Sequence, residues 1–155
     1  MNFQKYDLLT NRDVTLFRFK SKGINGETDK GIVYKETKNE TIYNLAFGDL
    51  IFDPIQKEYF IDDLIVSDNG DRNKILATVA KSAYIFSERY PNRIIFFKGS
   101  TKSRTRLYRR VISLNLKELS ETFYIFGAEE DESGNIFNIP FQSNVDFFGF
   151  FIKRK

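Results

Sequence analysis

The chain has 155 residues, 24 Lys/Arg against 21 Asp/Glu, 41% hydrophobic content with 17 Phe, and neither Cys nor His. That length and apolar content suffice for a real core, so one domain over 1–155 is expected. The missing residue types exclude disulfides, thiolate nucleophiles, imidazole bases and zinc-thiolate sites, and with them Ser-His-Asp hydrolases and Cys-His proteases.

Catalysis, if any, would fall to carboxylates, Lys, Arg, Tyr or a carboxylate-bound hard cation. No apolar run approaches the roughly 20 residues that a membrane helix needs. The opening residues Met1 to Asp7 lack the basic-then-apolar order of a signal peptide. The expected setting is cytoplasmic, with no membrane partner and no cofactor.

In chain order, Val14 to Lys20 is β-branched and aromatic and predicts a strand. Ser21 to Lys30 contains Gly23, Asn25 and Gly26 and predicts a loop. Gly31 to Thr37 and Thr41 to Phe47 predict a hairpin through Lys38-Asn39-Glu40. Gly48-Asp49 is expected to turn the chain, Asp53-Pro54 to break it, and Glu58 to Val66 to form a further strand. Asp71 is a candidate N-cap for a helix whose stripe is Ile75, Leu76, Val79, Ala83 and Phe86. Lys74, Lys81, Ser82 and Arg89 fall off that stripe, and Tyr90-Pro91 ends it.

Arg93 to Lys98 predicts a strand, followed by a tight turn and a second helix. That helix starts within Ser100 to Ser103, runs to about Leu119 and turns Leu107, Val111 and Leu114 inward. A strand over Arg104 to Leu116 stays open as an alternative, because Val111-Ile112 is β-branched. Phe123 to Gly127 is a strand, Glu129 to Asn135 an acidic hairpin loop, Ile136 to Phe141 the returning strand, and Phe147 to Ile152 the last. The sum is an α+β fold: an antiparallel sheet of about eight strands, strongly bent or barrel-like, packed against two helices.

The charge is unevenly spread. Nine of the Lys/Arg and none of the Asp/Glu lie between Arg89 and Lys117, leaving the remainder net acidic. A local basic surface follows if those residues share a face. Within it, Gly99-Ser100-Thr101 followed by Arg104, Arg106, Tyr108 and Arg109 has the composition of a phosphate cradle. Glycine permits close backbone approach, the hydroxyl residues and the helix start offer donors, and arginine supplies bidentate forks. Cations in the first turns of a helix oppose its dipole, so an anion there relieves the arrangement. The stretch is not a Walker A loop. A nucleotidyltransferase reading fails, because Val111 to Leu114 stands where an Asp-x-Asp pair is needed.

Asp71-Arg72-Asn73-Lys74-Ile75-Leu76, Tyr90-Pro91 and Gly99-Ser100-Thr101 with Arg104-Thr105-Arg106-Leu107-Tyr108 resemble a family of small uncharacterised bacterial proteins. That family carries a G-S-T-x-x-R-T-R-L-Y block after a strand, an aromatic-x-x-Gly strand and a basic end. The resemblance spans the chain from about Gly31 onward. It implies no activity.

Several uses of the basic stretch compete. Arginine interleaved with Tyr90 and Tyr108 suits nucleic acid, RNA or DNA, with salt-dependent phosphate contacts and aromatic stacking. A histidine-free RNase of the toxin kind could use Arg104, Arg106, Tyr108 and Lys98 around a scissile phosphate. A protein-interaction module needs no chemistry at all. The plainest alternative pairs the arginines with Asp49, Asp62 and Asp63. A carboxylate metal site is weaker still, since Asp62 and Asp63 would face opposite sides of a strand and Glu129 to Glu132 reads as a solvated loop tip.

Overall fold

The computed structural model describes residues 1, 3–62 and 69–155, and the second half of the strand predicted over Glu58 to Val66 lies outside them, as do Asp63, Ser67 and Asp68. Among the described residues the fold is α+β, a mixed nine-stranded sheet with three helices. The strands are β1 (Leu9–Thr10), β2 (Leu16–Gly23), β3 (Gly26–Glu36), β4 (Ile42–Asp53) and β5 (Glu58–Asp62), then β6 (Ile94–Phe97), β7 (Phe123–Glu130), β8 (Ile136–Pro140) and β9 (Gly149–Arg154). The helices are α1 (Arg72–Arg89), α2 (Lys102–Leu114) and α3 (Leu116–Thr122). The sheet order is β1-β2-β3-β4-β6-β9-β7-β8, with β5 also on β4. The path does not close, so the sheet is not a barrel. Nor is it wholly antiparallel: Ile42 to Asn44 of β4 run parallel to Ile94 to Phe96 of β6. No helix among the described residues is long and apolar enough to cross a membrane.

The chain divides into two compact units, Met1–Lys35 with Leu45–Arg89, and Glu36–Asn44 with Tyr90–Lys155. In the first, the glycines near residue 25 make a two-residue turn rather than a loop: Gly23 and Gly26 face each other and the ladder continues to Leu16 and Val33. Gly26 supplies the positive φ of 89°. Asn69 holds the turn from outside, accepting from the Asn25 amide at 2.9 Å and donating to the Gly26 carbonyl at 3.0 Å. Gly48-Asp49 does not turn the chain either. Both lie within β4, where Asp49 is buried against the ammonium of Lys30 on β3, and that pairing lets a carboxylate sit inside a sheet.

Helix α1 follows Asp71, whose carbonyl accepts from the Ile75 amide. The Asp71 carboxylate is turned toward Tyr6 and Ser21, accepting from each hydroxyl at 2.5 Å. The stripe of α1 is broader than apolar spacing implies. Ser82 is fully buried because its hydroxyl meets that of Tyr34 at 2.7 Å, one turn from the stacked rings of Tyr34 and Phe86 at 4.1 Å. Thr78 is buried likewise and accepts from the Tyr6 amide at 2.8 Å.

In the second unit, β9 lies between β6 and β7, antiparallel to both. One apolar cluster is Phe96, Ala128 and Phe151; another is Ile112, Phe147 and Phe150, flanked by Tyr108, Leu116 and Leu119. The predicted long second helix is broken at Asn115 (φ −116°), which divides α2 from α3. The break also changes the inner face. Leu114 is 82% exposed, whereas Thr105 and Ile112 are the buried residues of α2.

Burial raises the Tyr34 hydroxyl above its ordinary pKa, against a smaller lowering by its bond to Ser82. The unfolded chain therefore releases this proton first as pH rises, so the stability the group contributes is complete below about pH 10 and declines above it. Urea midpoints taken between about pH 9 and about pH 11 should fall, with up to about 1.4 kcal/mol per pH unit coming from this residue. Tyr34→Phe should flatten the decline; an unchanged slope would contradict the assignment.

Candidate anion site

β6 ends at Phe97, and the chain reaches α2 through Lys98 to Thr101. The corner is set by close approach. A Cβ on Gly99 would lie 2.5 Å from both Arg104 Cβ and Thr105 N, so only glycine fits beside the first turn of α2. The Gly99 amide donates to the buried Thr105 hydroxyl at 3.0 Å, and that hydroxyl donates to the Thr101 carbonyl at 3.2 Å. Gly99 therefore serves the site by shape, since its own N–H is already used.

Thr101 is the N-cap, accepting from the Arg104 amide at 3.2 Å. Its φ of −134° and ψ of 162° are extended, as an N-cap requires. Ser100 is exposed, and its hydroxyl accepts from Arg104 Nη1 at 2.6 Å. The amides of Lys102 and Ser103, the first two of the helix, have no hydrogen-bond partner among the described residues. Both side chains are exposed, as are those of Arg106 and Arg110.

The remaining predicted residues face differently. Tyr108 is half-buried, with its ring 6.2 Å from that of Phe97, at the edge of the Ile112 cluster. Arg109 is mostly buried and donates from Nη1 to Asp146 Oδ1 at 2.5 Å, while its Nε is buried with no hydrogen-bond partner. Arg106 Nε reaches the same oxygen at 3.4 Å, although both side chains there are half-exposed. One carboxylate thus serves two guanidinium groups. Hydrogen bonds join Ser100, Thr101 and Arg104 at the helix start, whereas Arg106 shares Asp146 with Arg109 and Tyr108 packs toward the core.

Asp146 is the partner that sequence reading misses. Asp49 is engaged by Lys30, and Asp62 pairs opposite Asp49 on the β4–β5 ladder. Asp146 comes from the turn preceding β9, 37 residues beyond Arg109, with no local signal tying it to α2. Lys102 is likewise a cation of the site that a reading centred on arginine passes over. Among the described residues no three carboxylates come together as a metal site.

Two substitutions test this geometry. Gly99→Ala should destabilise the fold by about 1–3 kcal/mol in urea unfolding, because the added methyl must displace backbone rather than a flexible side chain. Asp146→Asn should cost about 1 kcal/mol, the scale of a partly exposed ion pair, by leaving Arg109 without its anion.

Neither the curated proteins nor the solved structures include a match to this chain. A family model does match, over residues 2–155, and the chain belongs to that family, a family of unknown function (DUF6934).

Proposed function

We propose that the protein binds a phosphate-bearing partner, nucleic acid, at the start of α2. The observation that carries this reading is an excess of cations around unused donors. Lys102, Arg104, Arg106, Arg109 and Arg110 lie on one helix that carries no Asp or Glu of its own, with Asp146 set against Arg106 and Arg109. The Lys102 and Ser103 amides add two donors at the positive end of the helix dipole.

In this reading the Lys102 and Ser103 amides, with the Ser100 and Thr101 hydroxyls, meet a phosphate. Arg104 and Arg106 supply its charge-assisted contacts, and Lys102 a further cation. Gly99 holds the turn against the helix. Tyr108 and Arg109 position α2 on the core, with Arg109 tied down by Asp146. Arg106, half-exposed and only loosely engaged at 3.4 Å, can turn outward at small cost. Contacts of this kind recognise backbone, so affinity should depend on salt more than on sequence.

Short single-stranded RNA and DNA are the probes, titrated at several salt concentrations. Arg104→Glu with Arg106→Glu should abolish most binding while leaving the circular dichroism spectrum intact. Arg104→Ala with Arg106→Ala should lower the salt slope by about 1.4, from about 0.7 per lost phosphate contact on single strands. Asp146→Asn should tighten binding even as it lowers stability. Normal binding by the double Glu variant would refute the assignment.

A further inference from the structure

Alternate residues of the second unit's strands point to opposite faces of the sheet, and the two faces differ. On one, Ile112, Leu116 and Leu119 of α2 and α3 meet Phe97, Phe150 and Ile125. The other gathers Phe96, Phe151 and Ala128, with Phe126 and Phe148 packed against them, and neither helix contributes to it.

Two rings of this second face reach the surface, and each carries a lysine. Phe148 is half-buried, its ring nearly parallel to that of Phe96 at 6.4 Å, and the Lys98 ammonium lies 4.3 Å from its centre. Tyr124 is 52% exposed, with the Lys155 ammonium 5.4 Å from its ring. Lys153 stands opposite Tyr124 on the β7–β9 ladder. From Tyr124 to Ala128 on β7, Gly149 to Lys153 on β9 and Ile94 to Lys98, the alternate residues of this face include no Asp or Glu. Glu130 follows only beyond Ala128.

The Phe148 ring also adjoins the candidate anion site. Phe97, the last residue of β6, pairs with Phe150 near the start of β9, so Phe148 lies at the end of the sheet from which α2 departs. Two residues before it, Asp146 holds Arg106 and Arg109.

We propose that the nucleic acid held at the start of α2 is single-stranded and that its bases stack on Phe148 and Tyr124 across this face. The proposal rests on the reading of that helix start as a phosphate site, and it names the form of the partner. Unpaired bases can lay their faces on protein rings, whereas a duplex keeps them in its own stack. Lys98 and Lys155 have stems long enough to leave the rings for a neighbouring phosphate as a base takes their place. Four residues of β7 separate Tyr124 from Ala128, about 13 Å of strand, and sheets that bind RNA stack about two or three bases on their aromatics. An acidic peptide would answer the lysines and leave the rings without partners, so a base-bearing strand is the favoured occupant.

Four probes test this by fluorescence anisotropy: an oligothymidylate of about ten nucleotides, its duplex, an abasic strand of the same length, and polyglutamate. The chain should bind the oligothymidylate about tenfold or more tighter than the abasic strand. Tyr124→Ala and Phe148→Ala should each weaken oligothymidylate binding about tenfold and leave abasic binding unchanged. Tyr124→Phe should keep full affinity, because the ring and not the hydroxyl stacks. Phe148 packs on Phe96, so circular dichroism checks folding, and the exposed Tyr124 decides the matter if Phe148→Ala unfolds. Equal affinity for abasic strand or duplex, competition by polyglutamate as strong as by oligothymidylate, or wild-type affinity in Tyr124→Ala overturns the proposal. If Arg104→Glu with Arg106→Glu still abolishes binding in that event, the phosphate site stands and only the stacking face is lost. A chain that binds none of the nucleic-acid probes removes both.

Discussion

A buried threonine hydroxyl holds the corner on which the candidate site is built. Thr105 accepts the Gly99 amide and donates to the Thr101 carbonyl, so one side chain satisfies the strand end and the helix start together. The contact demands that β6 and α2 approach more closely than any side chain at position 99 permits. Ser100 and Thr101 are thereby pushed to the surface, and Arg104 is carried back over Ser100. Without this bond the segment between β6 and α2 would contain a buried donor and a buried hydroxyl with nothing to bind. The basic residues would have no fixed relation to the first amides of the helix.

The charges of α2 divide by depth. Arg109 is largely buried, and a guanidinium there must be balanced, which Asp146 does. Arg106 and Arg110 stand in water, where a carboxylate at 3.4 Å contributes little. A single acid therefore neutralises the inner cation and leaves the outer ones nearly unaffected. The same economy appears in the first unit, where Asp49 is buried with Lys30 in the sheet and Asp71 gathers Tyr6 and Ser21. In each case the acid is matched to a partner distant in sequence.

That distance explains which features were legible in the residues alone. The strand–turn–helix passage from Ile94 to Leu114 is local: an apolar run, a glycine, a capping threonine and then strong helix formers. Its class and its approximate start could be read from spacing. The inner face of α2 could not, because the turn toward the core depends on the break at Asn115, whose side chain donates to the Val111 carbonyl at 2.8 Å. Gly48-Asp49 looks like a turn until Lys30 is placed beside it. Ser82 looks like a solvent-facing residue until the Tyr34 hydroxyl arrives. Asp146 carries no mark of its role. Periodicity reports what a segment prefers, whereas these residues are set by tertiary partners.

The placement of β9 governs the order in which the second unit can assemble. β6 and β7 flank it, yet both precede it in the chain, and they have no direct pairing with each other among the described strands. Until residues 149–154 emerge from the ribosome, Phe96 and Ala128 lack the Phe151 surface that joins them. Two hydrophobic strands must therefore wait, unclosed, for a third that is made after both. Closing the unit requires residues 95–97 of β6 to find residues 150–152 of β9, a non-local pairing whose loop-closure cost must be met before its contacts repay it.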